Sequence, residues 1–456
     1  MTELRVSLDP RPRPSIAHPI EVATPLPTIA VLGLGYVGLP TALAARANGV
    51  RIVGIDLSES RLKAIRERRV DLVAADHERL ERHIDDDDFI LTSSVQSLEE
   101  ADAVLICVPT PVDDHRDPDL DLLRAACADA VRHARPGQTI ILTSTSYPGT
   151  TEDLLANPLR ARGFTVGEDV FVASSPERID PANPIPHADV PRILGGVTPS
   201  CLERATAILR FLTHDVVPVS SAKAAEMSKL LENSFRAVNI AFANEIADVC
   251  ATMGVDAREV IDAAATKPYG FMPFYPGTGV GGHCIPCDPH YLLWELRSRR
   301  ATAPILAEAM EAIAARPHAM VDLVGSELSA AGSRLKGARV LIVGVAYKPG
   351  VEDVRESPAV EIVNELRRRG AAVDFYDPLV PSMRLDDGNI LLSVRRPDPA
   401  AYDAALVHAL HPGVDYAWLT SISTVIDPAG GWTHGNGRSP HEHRAILPHR
   451  AVPVGG

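Results

Sequence analysis

The chain has 456 residues, 46% hydrophobic and 23% charged, which suits several packed domains of about 100–200 residues each rather than a disordered polymer. Its 59 acidic and 45 basic side chains leave a net charge of −14, which argues against general nucleic-acid binding, since that relies on Lys and Arg neutralising phosphates. Six cysteines are too few for a disulfide scaffold, no apolar run reaches the roughly 18 residues of a membrane span, and the N-terminus shows no signal-peptide core, so a cytoplasmic protein is expected.

Residues 1–27 carry Pro10, Pro12, Pro14, Pro19, Pro25 and Pro27 without an apolar period, and a disordered Pro-rich tail is expected there. Strand-like runs then alternate with helical stretches: Thr28–Leu32, Arg51–Ile55, Ala103–Cys107, Thr139–Thr143 and Val170–Ala173. Such alternation reads as βαβ units and a mostly parallel sheet. From Ser221 to Met253 there is neither proline nor glycine. Within it Met227, Leu230, Leu231, Phe235, Val238, Phe242 and Ile246 recur mostly every three or four residues, which predicts one long amphipathic helix. A Gly/Pro-rich loop spans 267–289, and helical segments return as far as Leu328. Arg339–Val345 opens a second strand–turn–helix unit, followed by strands at Ala372–Asp377, Ala404–Leu410 and Thr424–Asp427. Residues 431–456 read as a disordered tail; His434, His441, His443 and His449 there are read as solvated rather than metal-binding, and no metal site is expected. The predicted fold is α/β, two Rossmann-like doubly wound domains joined by a long central helix.

Four motifs carry chemistry. The loop Gly33-Leu34-Gly35-Tyr36-Val37-Gly38 lies between a strand and a helix, where glycines permit a tight turn, close backbone approach to a pyrophosphate and helix–strand packing. Asp56 ends the next strand 18 residues after Gly38, placed to bind ribose hydroxyls and to repel a 2′-phosphate, so NAD is favoured over NADP; Arg61 is the contrary signal. The second motif, Gly277–Asp288, crowds glycines before Cys284, which suggests backbone wrapped closely around a ligand beside a nucleophile. Cys284-Ile-Pro-Cys287 also has the spacing of a redox pair or half a zinc site, but no second ligand pair follows and the thioredoxin setting is missing. In the third, Lys229 and Asn233 share a helix face; by spacing alone this reads first as a solvated face with a Glu226–Lys229 contact. In the fourth, Glu177 follows a strand end, where open sheets bind ligands.

Together the motifs resemble the UDP-glucose/GDP-mannose dehydrogenase family over about residues 28–430. They are GLGYVGLP from Gly33, VPTP from Val108, STSYPGTTE from Ser144, SPER from Ser175, EMSKLLEN from Glu226, GVGGHCIPCDP from Gly279 and GVAYKPGVEDVRESP from Gly344. The resemblance implies an NAD-binding domain at 28–217, a central helical dimerisation domain at 218–328 that makes a homodimer, and a nucleotide-sugar-binding domain at 336–430. It implies oxidation of the C6 alcohol of a nucleoside-diphosphate hexose to the uronate, with two NAD per turnover, through a cysteine thiohemiacetal and thioester. On that pattern Cys284 is the nucleophile. Lys229 supplies positive charge and proton transfer, Asn233 orients the C6 oxygen, Glu177 activates water for thioester hydrolysis, and Asp288 and Thr145 orient water. The NAD positions are Gly33, Gly35, Tyr36, Val37, Gly38, Asp56, Arg61, Thr110, Thr145 and Arg355. The nucleotide-sugar positions are Glu177, Lys229, Asn233, Tyr275, Gly277, Gly279, Gly281, Tyr347 and Lys348.

Three departures accompany the resemblance. An arginine that often precedes the family's glycine loop is replaced by the Thr266-Lys267-Pro268 stretch, so Lys267 is its substitute. Ile426-Asp427 runs into Pro428-Ala429-Gly430 without the arginine that often contacts the nucleotide, a contact then missing or supplied elsewhere. Cys287 is not a family feature, and is read as resolving an oxidised Cys284. SPERIDP and GGHCIPCDPHYL look more like the branch acting on UDP-N-acetylglucosamine and related N-acetylhexosamines, with UDP-glucose and dTDP-glucose open. The competing classes are a two-electron NAD dehydrogenase of hydroxyacid or 6-phosphogluconate type, which needs neither Cys284 nor a second α/β domain, and a non-catalytic nucleotide-sugar-binding regulator.

Overall fold

A computed structural model describes residues 26–113, 115–178, 187–282 and 284–432. Both predicted tails, apart from Leu26, Pro27, Gly431 and Trp432, lie outside the described residues, as do the four tail histidines. The chain divides into two units, Met1–Glu232 with His290–Ala301, and Asn233–Pro289 with Thr302–Gly456.

The first unit is built on an eight-stranded sheet. Its strands are β1 (Thr28–Leu32), β2 (Arg51–Ile55), β3 (Phe89–Thr92), β4 (Ala103–Ile106), β5 (Thr139–Leu142), β6 (Phe171–Ser174), β7 (Arg192–Gly196) and β8 (Val216–Val219). They run in the order β3-β2-β1-β4-β5-β6-β7-β8, all neighbours parallel except β6 and β7. The helices are α1 (Gly38–Ala47), α2 (Glu59–Arg66), α3 (Ala74–His83), α4 (Asp121–Arg132), α5 (Asn157–Ala161) and α6 (Pro199–Leu209). Strands β1, β4, β5 and β6 are apolar along nearly their whole length and buried, as a parallel sheet covered on both faces requires. The strand order turns back between β1 and β4, and it is at the carboxyl ends of such strands that open sheets bind ligands. Gly33, Asp56, Val108, Thr145 and Glu177 all follow those ends.

Strands β3, β7 and β8 were not predicted from the sequence. The first is a four-residue run after the acidic stretch Asp85–Asp88, the second holds Arg192 and two glycines, and the third contains Pro218. Proline is tolerated because β8 is the sheet edge, where its missing N–H breaks no ladder.

The predicted long helix is α7 (Ala222–Met253), one residue shorter than read, and the division between units falls within it. Apart from Leu230, its buried positions are small or polar, among them Ala225, Lys229, Asn233, Ala237, Ala241 and Asn244. The large apolar stripe faces outward instead, with Leu231 61% and Phe242 55% exposed. The periodicity gave the helix but not its buried face, because alanines let neighbouring elements approach closely while the larger side chains remain uncovered.

The second unit continues with α8 (Ala257–Ala265), α9 (Asp288–Ser298, shared with the first unit), α10 (Pro304–Ala330) and α11 (Pro358–Arg368). Its parallel sheet joins β9 (Arg339–Val343), β10 (Ala372–Tyr376), β13 (Ala404–Val407) and β14 (Val425–Ile426) in the order β10-β9-β13-β14, and β11 (Ser382–Arg384) pairs with β12 (Ile390–Leu392) as a hairpin. Ser357 starts α11, its hydroxyl accepting from the Ala359 amide and donating to Val345 O. No described helix is long and apolar enough to cross a membrane.

Candidate active site

The three glycines of the first motif separate by what surrounds them. Gly33 lies at φ +93°, and a Cβ there would meet Cys107 O at 2.7 Å; at Gly38 it would meet Gly33 O at 1.8 Å. At Gly35 nothing stands within 4 Å, so this glycine leaves a bare surface for a ligand at the start of α1. Leu34 N donates to Asp56 Oδ2 and Ser58 N to Asp56 Oδ1, each at 2.9 Å. Each oxygen therefore keeps acceptor capacity for a ribose hydroxyl. Arg61 Nε donates to Leu34 O at 2.8 Å, bracing the loop, and Tyr36 donates to Asp71 from an exposed position next to Val37. Thr110 and Thr145 are half-buried on the loops after β4 and β5, which Ser144 Oγ links by donating to Val108 O. The open face at Gly35, the helix terminus and the poised carboxylate fit an NAD dinucleotide.

Lys229 is not on a solvated face. It is 8% exposed and has no hydrogen-bond or ion-pair partner among the described residues. The Glu226–Lys229 contact of the blander reading is absent because Glu226 accepts instead from Gly149 N at 2.6 Å, Thr151 N at 2.8 Å and Thr151 Oγ1 at 2.6 Å. Burial pushes the Glu226 carboxyl above its usual range, only partly offset by those bonds. Glu177, 7% exposed, pairs through Oε2 with Arg192 Nη2 at 2.6 Å, while Arg178 N donates to Oε1 at 2.7 Å.

In the second unit Asn233 Nδ2 donates to Asp288 Oδ2, and both residues are buried. Cys284 is exposed and stands just before α9, whose first residue, Asp288, donates its amide to Cys284 O at 2.8 Å. A helix N-terminus is a favourable place for a thiolate. Cys287 is buried within the same turn.

The crowded glycines serve a different purpose from the one read in the sequence. A Cβ on Gly279 would meet Pro358 at 2.7 Å, on Gly281 it would meet Glu356 O at 2.5 Å, and on Gly282 the Tyr347 ring at 3.0 Å. These glycines let the loop pack on the segment before α11. Gly277 alone of this set is open, its nearest atom 3.9 Å away. Its amide donates to Asn244 Oδ1 at 2.9 Å, and its carbonyl accepts from Arg316 Nε at 3.0 Å. Arg316 also holds both oxygens of Asp248 through Nη1. Tyr275 donates to Asp262 at 2.6 Å under the Arg258 guanidinium, which lies 4.7 Å from its ring. Lys267 and Lys348 fold over the rings of Tyr269 and Tyr347. Arg355 pairs with Asp353 through two nitrogens, an arrangement that holds it within its own loop.

Sequence reasoning missed Arg192, Asn244, Arg258 and Arg316. The signal for Arg192 and Arg316 was a charge at an inward position of an apolar run, visible only once the faces were known. Arg258 Nη1 donates to Ala429 O at 3.3 Å and packs against Gly430, so this turn after Ile426-Asp427 does have an arginine, drawn from α8.

A dinucleotide loop with an acid after the second strand, in a unit that also holds a buried lysine and a carboxylate following a strand end, defines an NAD-dependent dehydrogenase. Comparison with known proteins gives the narrower class. The UDP-glucose/GDP-mannose dehydrogenase family matches over its NAD binding domain at residues 27–213, its central domain at 223–313 and its UDP binding domain at 341–430. An NDP-N-acetyl-D-galactosaminuronic acid dehydrogenase of Ralstonia solanacearum is 35% identical, over 89% of this chain and 96% of the relative. A UDP-N-acetyl-D-glucosamine 6-dehydrogenase of Pseudomonas aeruginosa is 32% identical, over 84% and 90%. The solved structure of a UDP-D-ManNAc dehydrogenase from Pyrococcus horikoshii superposes with a TM-score of 0.79 at 31% identity, covering 88% of this chain and 95% of that one. The chain belongs to the UDP-glucose/GDP-mannose dehydrogenase family, and is an NAD-dependent nucleotide-sugar 6-dehydrogenase.

Proposed function

We propose that the substrate is a UDP-N-acetylhexosamine, oxidised at C6 to the uronate in the cytoplasm by a homodimer. The observation that carries the catalytic reading is Lys229, a side chain only 8% exposed whose ammonium has no counter-ion among the described residues, one helical turn from an Asn233 fixed by Asp288. Burying such a charge is costly unless a ligand or ordered water answers it. The choice of sugar rests on the relatives named for N-acetylhexosamine nucleotides. The exposed stripe of Leu231, Phe235, Phe242 and Met253 supports pairing of two copies through the central helix. The NAD-binding, dimerisation and nucleotide-sugar roles are assigned to residues 28–217, 218–328 and 336–430.

NAD held by the Gly33–Gly38 loop, Asp56, Thr110 and Thr145 supplies the hydride acceptor, twice in each turnover. Asn233 holds the C6 oxygen, and Lys229 stabilises negative charge on it and passes its proton to water. After the first oxidation the Cys284 thiolate adds to the C6 aldehyde, and the thiohemiacetal loses the second hydride to become a thioester. Glu177 takes a proton from the water that hydrolyses it, with Asp288 and Thr145 orienting water. Tyr275, Gly277 and Lys348 bind the nucleotide sugar with Gly279, Gly281, Tyr347 and Lys267, and Arg355 completes the NAD set.

The test is NADH production with UDP-glucose, UDP-N-acetylglucosamine, UDP-N-acetylmannosamine, GDP-mannose and dTDP-glucose side by side. A UDP-N-acetylhexosamine is expected to give the highest kcat/KM and two NADH per uronate. One NADH per product overturns the mechanism, and a preference for UDP-glucose overturns the substrate.

A further inference from the structure

Arg192 opens β7 across the antiparallel β6–β7 boundary from the segment that carries Glu177. It is 5% exposed, and among the described residues Glu177 is the only ion-pair partner of its guanidinium. Nη1 is equally buried and has no hydrogen-bond partner among the described residues. A buried arginine that merely braces a fold usually satisfies its five donors on several carbonyls; this one is committed to a single carboxylate. Its backbone is fixed separately, Arg192 N donating to Asp215 O at 3.0 Å. The neighbouring Arg178 ties the two segments together: Nη1 donates to Pro191 O at 2.9 Å and Nε to Glu232 Oε2 on α7 at 3.1 Å. Thus the residue after Glu177 is anchored to the residue before Arg192, and the ion pair is held from both sides.

We propose that Arg192 is a positioning residue for the hydrolytic half of the reaction, holding the Glu177 carboxylate in the orientation in which it meets the attacking water. This rests on the assignment of Glu177 to thioester hydrolysis. Arg192 Nη2 stands 2.6 Å from Oε2 and the Arg178 amide donates to Oε1 at 2.7 Å, so each carboxylate oxygen is held by a separate group. In the step concerned the water oxygen bonds to the thioester carbonyl carbon, and the C–S bond breaks with its electron pair leaving on the Cys284 sulfur. One water proton passes to Glu177 and then to solvent, with no change of oxidation state. Arg192 touches none of the reacting atoms; without it the buried Glu177 carboxylate loses the ion pair that fixes its orientation.

The experiment compares Arg192→Met, Arg192→Lys, Glu177→Gln and the Arg192→Met/Glu177→Gln double variant in the full chain with NAD and the preferred nucleotide sugar. The readouts are the pre-steady-state NADH burst, steady-state kcat, KM for both substrates, and intact mass after acid quench. Arg192→Met is expected to keep the burst and both KM values within about twofold, to lose about tenfold or more in kcat, and to accumulate the acyl adduct on Cys284, as Glu177→Gln does. Arg192→Lys recovers part of kcat, and the double variant is no slower than Glu177→Gln, because the two residues act as one unit. Unchanged kcat in Arg192→Met overturns the proposal. Additive losses in the double variant, or an equal loss of burst and steady state with a raised KM for NAD, overturn it in favour of a structural role. Should Arg192→Met not fold, Arg192→Lys carries the test alone, since kcat at the wild-type level without adduct is equally fatal. Rapid hydrolysis in Glu177→Gln instead overturns the underlying assignment of Glu177.

Discussion

His408 provides a quantitative test of the second unit. It follows β13 and is half-buried, with Nε2 3.0 Å from Ala346 O and Nδ1 facing the Thr278 hydroxyl of the glycine loop. Burial drives its pKa from the ordinary 6.5 down to about 4, although the Ala346 carbonyl and Asp377 act in the opposite direction and His411 adds to the fall. The unfolded chain therefore takes up a proton before the folded one does, and stability is lost as pH falls from about 6.5 to about 4. Over this interval of roughly 2.5 units, at about 1.4 kcal/mol each, the loss approaches about 3 kcal/mol. Asp377 does not blur that window: burial alone would raise its carboxyl, but His411 and the amides of Val345, Leu379 and Val380 hold it below the usual range. Its stabilising contribution is lost only in stronger acid. His408→Gln keeps a donor for Ala346 O but cannot titrate. Hydrogen exchange of β9 and β13 peptides, corrected for intrinsic rates, should show wild-type protection falling by about two orders of magnitude between pH 6.5 and 4. The variant should show less protection at pH 7 and a much flatter profile. Parallel profiles in the two proteins would refute the reasoning.

Three further outcomes follow from the geometry. Gly281→Ala places a methyl 2.5 Å from Glu356 O, a backbone atom that cannot rotate away, so turnover should fall by about tenfold or more while NAD binding, read by fluorescence titration, is retained. Phe242→Arg on the exposed stripe of α7 should shift sedimentation from dimer to monomer, and an unchanged dimer would place the interface elsewhere. Glu226→Ala strands the amides of Gly149 and Thr151 and the Thr151 hydroxyl; at about 1–3 kcal/mol per buried unsatisfied group, offset by relief of a desolvated carboxylate, thermal unfolding should show a net loss of a few kcal/mol.

Much of the fold was legible because parallel strands buried on both faces must be apolar throughout. Thr28–Leu32 and Arg51–Ile55 begin and end where the sequence places them, and the glycine-free run to Met253 is a helix. What escaped were the strands that break this rule. The β7 strand buries an arginine and β8 accepts a proline at the edge, and both depend on neighbours distant in the chain. The direction of the α7 stripe was illegible for the same reason: period reports which residues share a face, whereas burial depends on what packs there.

The site divides along a similar line. Its ordered motifs revealed the chemistry, and Lys229 illustrates how much the fold adds: spacing alone favours a solvated face, while the structure buries most of the side chain and diverts Glu226 to the loop at Gly149. The glycines show the reverse. A glycine cluster before a cysteine reads as backbone clearing room for a ligand, yet the room at Gly279, Gly281 and Gly282 is taken by Pro358, Glu356 and Tyr347. Of the glycines in these two motifs, Gly35 and Gly277 keep open space, and each is held in place by its surroundings: the Gly35 loop by Arg61 and Asp56, and Gly277 by Asn244 and Arg316. A missing Cβ thus has two physical meanings, close packing of chain on chain and access for something else. The distinction lies in what occupies the space around the glycine, which no single sequence records. Substitution should separate them: alanine at Gly277 should raise the KM for the nucleotide sugar by removing ligand space, whereas alanine at Gly281 should disturb the loop itself and lower kcat whatever the substrate concentration. If Gly277→Ala leaves KM unchanged, its open face is not where the substrate lies.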